Sequence, residues 1–175
     1  KATSVTLKDD VIIFKSNGSK IEMMVALKWA KLNFDLNSII FFDYVDAINK
    51  EVLENHLIIP REVSSLNDLP LEWGNNPYIE KIMVKNSLNK KIRNVIFNNN
   101  LDFFYGNILS MDSNIINKTI INELSNLNKF DAYNNLIFIC NKFANEKNID
   151  IYNICPGRPS SKKNFNLKKF FENLN

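Results

Sequence analysis

The sequence predicts an α/β fold, a three-layer Rossmann-like sandwich with a mainly parallel sheet. Apolar-rich stretches of strand length recur at 11–14, 38–42, 101–105 and 149–154, the first two as runs with scarcely a polar break, and stretches with helical spacing separate them. Strands alternating with helices are the signature of β-α-β units. A run that is apolar at every position suits a strand covered on both faces. Composition agrees, since 175 residues with 45% hydrophobic and 23% charged side chains form an ordinary compact domain that buries roughly two thirds of its unfolded surface. Residues 1–175 therefore read as a single α/β domain.

Taken in order, Val11-Ile12-Ile13-Phe14 is the first strand, and Lys15-Ser16-Asn17-Gly18-Ser19 turns into a helix running to Leu32. Ser19 and Glu22 fit a capping box, in which each side chain satisfies an orphan amide of the first turn. Ile21, Met24, Val25, Trp29 and Leu32 share one helical face, which the periodicity assigns to the core. Residues 38–42 form the second strand, and a helix over about 47–54 follows. Residues 57–77 carry Pro60, Pro70 and Pro77 with Trp73-Gly74 and read as an irregular loop or lid. A basic helix spans 78–97. The third central strand is 101–105, stopped by Gly106, and helices follow at 115–127 and 132–144. The last strand is 149–154. Residues 158–175 are a basic tail ending in a short helix over 168–174.

Thirty Asn against four Gly is the bias of an AT-rich coding sequence, so Asn runs and the sequons at Asn17 and Asn117 are read as compositional. The net charge of +3, from 22 basic and 19 acidic residues, is too small to imply a polyanionic partner by itself. Cys140 and Cys155 read as free thiols of a reducing compartment, which suggests the cytoplasm. No run approaches the ~20 apolar residues of a membrane span, and no signal segment is read at the start.

Ligands of open α/β sheets bind beyond the carboxyl ends of strands. The candidates therefore cluster at such ends. Asn17, Gly18 and Ser19 join a strand to a capped helix start, where a glycine allows close backbone approach and the helix dipole favours phosphate. The full dinucleotide fingerprint and the Walker lysine are absent. Asp43 and Asp46 follow the second strand and suit a ribose, a metal, an acceptor hydroxyl or a helix cap. His56 is the sole histidine, which excludes a His-based metal cluster and leaves it as a lone candidate base. Cys155 precedes Pro156 and Gly157 in the last strand-end loop, where a thiol nucleophile is conceivable. The tail interleaves lysines with phenylalanines, a pattern for a phosphate backbone, an anionic membrane face, or simply a docked terminal helix.

The segment 143–174, in which a helix leads to Ile149-Asp150-Ile151-Tyr152-Asn153-Ile154-Cys155-Pro156-Gly157 and then to Phe165-Asn166-Leu167-Lys168-Lys169-Phe170-Phe171, resembles the end of a group of sugar-transferring proteins. That group comprises bacterial sialyltransferases of the Campylobacter type and motility-accessory-factor proteins. Residues 11–19 resemble its opening strand and nucleotide loop, with Asn17, Gly18 and Ser19 at matching positions. The resemblance implies a metal-independent glycosyltransferase-like domain without a cofactor, using a nucleotide sugar and a glycan acceptor. Asn17, Gly18 and Ser19 would then meet the donor phosphates, and Asn153, Pro156 and Gly157 would line the cleft, with Asp43 on the substrate. No histidine lies where the group carries its base, so either another group, Tyr105 or Asp112, would serve or the domain would bind without catalysing. Two other readings stand beside this one. A basic nucleic-acid module would use 78–97 and the tail, and a non-catalytic interaction domain would belong to a larger assembly. The expected location is cytoplasmic, with the tail able to reach a membrane surface.

Overall fold

The computed structural model describes residues 4–8, 11–16, 18–49, 56–66, 79–84, 90–98, 101–111, 117–126 and 129–158. The chain opens with β1 (Ser4–Lys8) paired antiparallel to β2 (Val11–Lys15). No strand was expected at β1, although Ser4-Val5-Thr6-Leu7 alternates polar and apolar as a half-covered strand should. Next comes α1 (Lys20–Asn33), whose Ser19 Oγ accepts from the Glu22 amide at 3.3 Å, realising the serine half of the capping box.

The buried face of α1 is not the expected one. Met23, Ala26, Leu27 and Ala30 are buried, whereas Ile21, Val25, Trp29 and Leu32 face outward and Met24 is half-buried against the core. Both faces are apolar, so periodicity alone could not choose between them. The small side chains of Ala26 and Ala30 leave room for a neighbouring backbone, and the helix α4 (Ile137–Glu146) packs there.

The strand β3 (Ser38–Phe42) stands where expected. Beyond it the expected helix over 47–54 gives way to a two-residue strand, β4 (Asp46–Ala47), and residues 50–55 lie outside the described part. The expected lid over 57–77 contains a ten-residue strand instead, β5 (Leu57–Leu66); residues 67–77 are not among those described. The expected basic helix over 78–97 divides into the strand β6 (Ile79–Met83) and the shorter helix α2 (Lys90–Asn98). Then β7 (Phe103–Ser110) runs straight through Gly106. The helix α3 (Lys118–Asn126) follows, and the expected helix over 132–144 starts late, because Ala132 and Tyr133 form the strand β8 (Ala132–Tyr133) ahead of α4. The last strand, β9 (Asp150–Pro156), reaches two residues further than expected. The expected tail helix lies outside the described residues.

The architecture is α/β, with a central, mostly parallel sheet flanked by helices. Its order is β3-β9-β5-β7-β8-β4, with β6 on β5. The longest register is the parallel β5–β7 ladder, and β3–β9 and β7–β8 are also parallel. The antiparallel pairings are β5–β9, β5–β6 and β4–β8. The two ends of this order, β3 and β4, are separated in sequence by residues 43–45 alone. The sheet therefore curls back toward its own beginning, and residues 43–45 form the seam.

Alternation along the strands sorts the core into two sides. Ile58 and Ile108 pack with Met23 and Leu27 of α1 and Phe143 of α4. On the other side Leu57 and Ile59 meet Val95 and Ile96 of α2, and Leu109 meets Leu124 of α3. Burying each such aliphatic side chain contributes about 1.5–3 kcal/mol, so this alternation holds the helices on their respective faces. Among the described residues no helix is long and apolar enough to cross a membrane.

Candidate functional site at the sheet seam

The seam is where polar groups gather. After the apolar β3, the chain zips along the end of β9: the Asp43 amide donates to the Ile154 carbonyl at 3.4 Å, the Val45 amide to Pro156 at 3.0 Å and the Arg158 amide to Val45 at 2.8 Å. Asp43 is thereby fixed at the carboxyl ends of two neighbouring parallel strands. Its Oδ1 accepts from the Tyr44 amide at 2.8 Å and its Oδ2 from Asn134 Nδ2 at 2.9 Å.

Asn134 is buried and fully used. Its Nδ2 also donates to the Tyr44 carbonyl at 3.0 Å, while its Oδ1 accepts from the Leu136 and Ile137 amides at 2.8 and 3.0 Å. One side chain thus caps α4 and holds the seam carboxylate. The adjacent Asn135 donates from Nδ2 to the Gly18 carbonyl at 2.7 Å and accepts on its own carbonyl from Ser110 Oγ at 3.2 Å. This ties the turn after β2 and the end of β7 to the start of α4. Gly18 has φ +94°, a left-handed conformation that glycine adopts without the penalty of a Cβ, and its amide donates to Ser16 Oγ at 3.0 Å.

A charged pair borders the cluster. Arg158 Nε donates to Asp46 Oδ1 at 2.6 Å, and its guanidinium lies 5.9 Å from the Tyr44 ring centroid. The hydrogen bond to Asp46 holds the Arg158 pKa above its ordinary value, with the Asp43 charge adding to it. Tyr133 is also raised, first by burial and then by Asp46, with Arg158 opposing.

Of the residues singled out in the sequence, Gly18, Ser19 and Asp43 come to this end of the fold, with Pro156 and Gly157 as its backbone wall. Asn17 and Asp112 lie outside the described residues. Asn153 is turned into the interior, where it exchanges two 3.0 Å hydrogen bonds with Asn141. Tyr105 is exposed on β7, with Arg61 5.4 Å from its ring centroid. His56 precedes β5, its Nε2 4.0 Å from the exposed Asp102 and its buried Nδ1 unpartnered. Cys155 and Cys140 are both buried, and burial pushes the Cys140 thiol up to about 12 and Cys155 well above its ordinary value. Neither is a thiolate at neutral pH. Sequence reasoning missed Asn134, Asn135, Ser110 and the Asp46–Arg158 pair. A readable signal was the Asn-Asn pair just before an apolar helical run, the place where side-chain caps belong.

A cavity of about 100 Å³ between β6, α4 and β9 is lined by Ile82, Met83, Val84, Asn141, Ala144 and Ile151 among others. It sits at the amino end of β9, the wrong end for a ligand of this sheet, and is smaller than the roughly 300 Å³ a small-molecule site needs. The seam is therefore the candidate site.

No protein-family model matches the sequence, and no curated protein matches it. Solved structures do. Futalosine hydrolase of Helicobacter pylori is similar over 93% of this chain and 77% of its own, with a TM-score of 0.76 at 17% identity. The chain shares the overall fold of that structure. A variant of Helicobacter pylori MTAN with 5'-methylthioadenosine in its active site is similar over 88% of this chain and 70% of its own, at a TM-score of 0.70 and 15% identity. The 5'-methylthioadenosine/S-adenosyl homocysteine nucleosidase of Campylobacter jejuni is similar over 98% of this chain and 82% of its own, at 0.68 and 12%.

These neighbours overturn the sialyltransferase resemblance. They are nucleosidases, and the one with a bound substrate holds a nucleoside. The glycosyltransferase reading, with its nucleotide sugar and glycan acceptor, falls with that resemblance, and the neighbours lend no support to a nucleic-acid module or an interaction domain. The misleading signal was the helix, the strand ending in Tyr-Asn and the small-residue loop, a sequence of elements that many α/β folds share.

Proposed function

We propose that this chain recognises a nucleoside at the seam, with Asp43 accepting hydrogen bonds from the ribose hydroxyls. The observation that carries the reading is the similarity to futalosine hydrolase over 93% of the chain at a TM-score of 0.76. The chemistry of the cluster fits it. Each Asp43 oxygen accepts one hydrogen bond from the protein, and an ionised carboxylate has about four acceptor sites, so capacity remains for a vicinal diol. Tyr44, beside it, offers a ring for base stacking. Asn134 and Asn135 are amides, which exchange no proton at neutral pH, and Asp46 is neutralised by Arg158. Recognition is therefore the half of nucleosidase chemistry that these groups support best, and cleavage of an N-glycosidic bond would rest on Asp43.

Calorimetric titration with 5'-methylthioadenosine, adenosine and CMP tests this reading, with base release followed by chromatography on the same samples. Binding of the purine nucleosides is expected, weakened about tenfold or more in Asp43→Asn, since a hydrogen bond to a charged group is worth about 1.5–3 kcal/mol. Equal affinity in wild type and Asp43→Asn would remove the seam from the site. No heat with either purine nucleoside would sink the nucleoside reading itself.

A further inference from the structure

Asn134 has no hydrogen-bonding capacity left for a ligand. A carboxamide offers two N–H donors and two acceptor lone pairs. Here all four are committed: Nδ2 donates to Asp43 Oδ2 at 2.9 Å and to the Tyr44 carbonyl at 3.0 Å, and Oδ1 accepts from the Leu136 and Ile137 amides at 2.8 and 3.0 Å. The residue is 5% exposed. A serine caps a helix about as well, but its single hydroxyl hydrogen cannot also serve Asp43 and Tyr44, and an ionised aspartate has no donor at all. Asp43 is held from a second direction, because its Oδ1 accepts from the Tyr44 amide at 2.8 Å. One donor on each oxygen fixes the plane of the carboxylate and aims the acceptor sites that remain.

From this we infer that Asn134 is a positioning residue of the nucleoside site, and that it couples occupancy of Asp43 to the capping of α4. The inference rests on the nucleoside reading above and adds the route by which the site is felt elsewhere in the fold. A ligand that needs Asp43 in its held orientation favours the state in which Asn134 is in place, and in that state the Leu136 and Ile137 amides are covered. The linkage runs both ways, since fraying of the start of α4 releases Asn134 and with it the orientation of Asp43. That start depends on its cap. The bond that opens the helix, from the Cys140 amide to the Leu136 carbonyl, is 3.3 Å long, against the usual ~2.9–3.0 Å.

The test uses 5'-methylthioadenosine on the whole chain, with amide exchange followed by NMR and affinity by calorimetry, for wild type and Asn134→Ser. The serine keeps an acceptor for the amides of the helix start and withdraws the donor from Asp43. In wild type, saturating ligand is expected to slow the Leu136 and Ile137 amides roughly fivefold or more beyond any slowing of the Ile96 amide, which belongs to the core on the other side of the sheet. In Asn134→Ser the affinity should fall about tenfold, as for loss of a hydrogen bond to a charged group. The selective slowing should vanish with it, while the circular dichroism spectrum stays unchanged. A cap with a purely structural role would leave both amides indifferent to the ligand. Binding by wild type without selective slowing therefore overturns the inference and leaves the nucleoside reading intact, and undiminished affinity in the variant does the same. No binding by wild type removes the nucleoside reading and this inference with it.

Discussion

At the scale of single residues, the fold turns on Asn134. It is one of thirty asparagines, and that compositional bias hides it in the sequence. Its distinction comes from what surrounds it, the Leu136 and Ile137 amides at the start of α4 on one side and a carboxylate and a carbonyl on the other. Asn134→Ala removes both sets at once and leaves buried donors without acceptors. Loss of a cap together with unsatisfied amides should cost about 2–3 kcal/mol, read as a lower urea midpoint with an unchanged slope. A loss below ~0.5 kcal/mol would show that water replaces the amide without penalty. Asp43 was legible in advance because a carboxylate after an apolar run announces a strand end. Asn134 was not, since a cap is recognisable only once the helix start is placed.

At the scale of elements, the largest misreading was β5, and Pro60 contributed to it. Proline lacks the amide a central strand needs, and Pro60 with Pro70, Pro77 and Trp73-Gly74 gives the whole of 57–77 the look of a loop. The structure accommodates the proline by position: one flank of β5 pairs with β9 at Leu57 and Ile58 and with β6 from Glu62 to Leu66, and Pro60 falls between the two. The β7 register shifts at the same point, between Pro60 and Glu62. Gly106, paired with Pro60, reads in the sequence as a strand terminator because glycine gives a strand no side chain to pack. It is instead a point of close approach, where an added Cβ would lie 3.0 Å from Asp131 Oδ2, 3.1 Å from Phe104 Cε2 and 3.2 Å from Ile58 Cγ2. Gly106→Ala should therefore destabilise by about 1–3 kcal/mol through overpacking, despite alanine's lower unfolded-state entropy. Thermal unfolding of the variant at or above the wild-type midpoint would refute the close packing.

At the scale of the whole molecule, the curled sheet creates an interior that keeps two thiols protonated. Cys140 is raised to about 12 by burial, helped by the Asp43 charge, and Cys155 is raised by the same two causes in the same order, with Cys140 adding to them. Tyr133 moves in the same direction. In the unfolded chain the thiols ionise near their ordinary 9.0, while folded Cys140 holds its proton to about 12. Between these values the native state binds more protons, so stability is fully present below about 9 and is lost as pH rises towards 12. Urea unfolding at pH 8, 9 and 10 should show that decline, and the double variant Cys140→Ala/Cys155→Ala should decline less steeply. An identical slope in the double variant would assign the loss to other groups.

The sequence by itself determined the α/β class, the positions of β2, α1, β3 and β9, and the end of the sheet at which polar residues had to collect. Each of these follows from local information: a continuous apolar run, a serine cap, a carboxylate after a strand. Only the tertiary structure decided which face of α1 is buried, that residue 60 lies within a strand, and that Asp43 meets Asn134. Asp43 and Asn134 are 91 residues apart in the chain, and closing that distance depends on the sheet curling until β3 and β4 flank its seam. Fold similarity to nucleosidases belongs to this second category. At 12–17% identity many different side chains can fill the same volumes and present the same backbone, so the path of the chain persists where its letters do not.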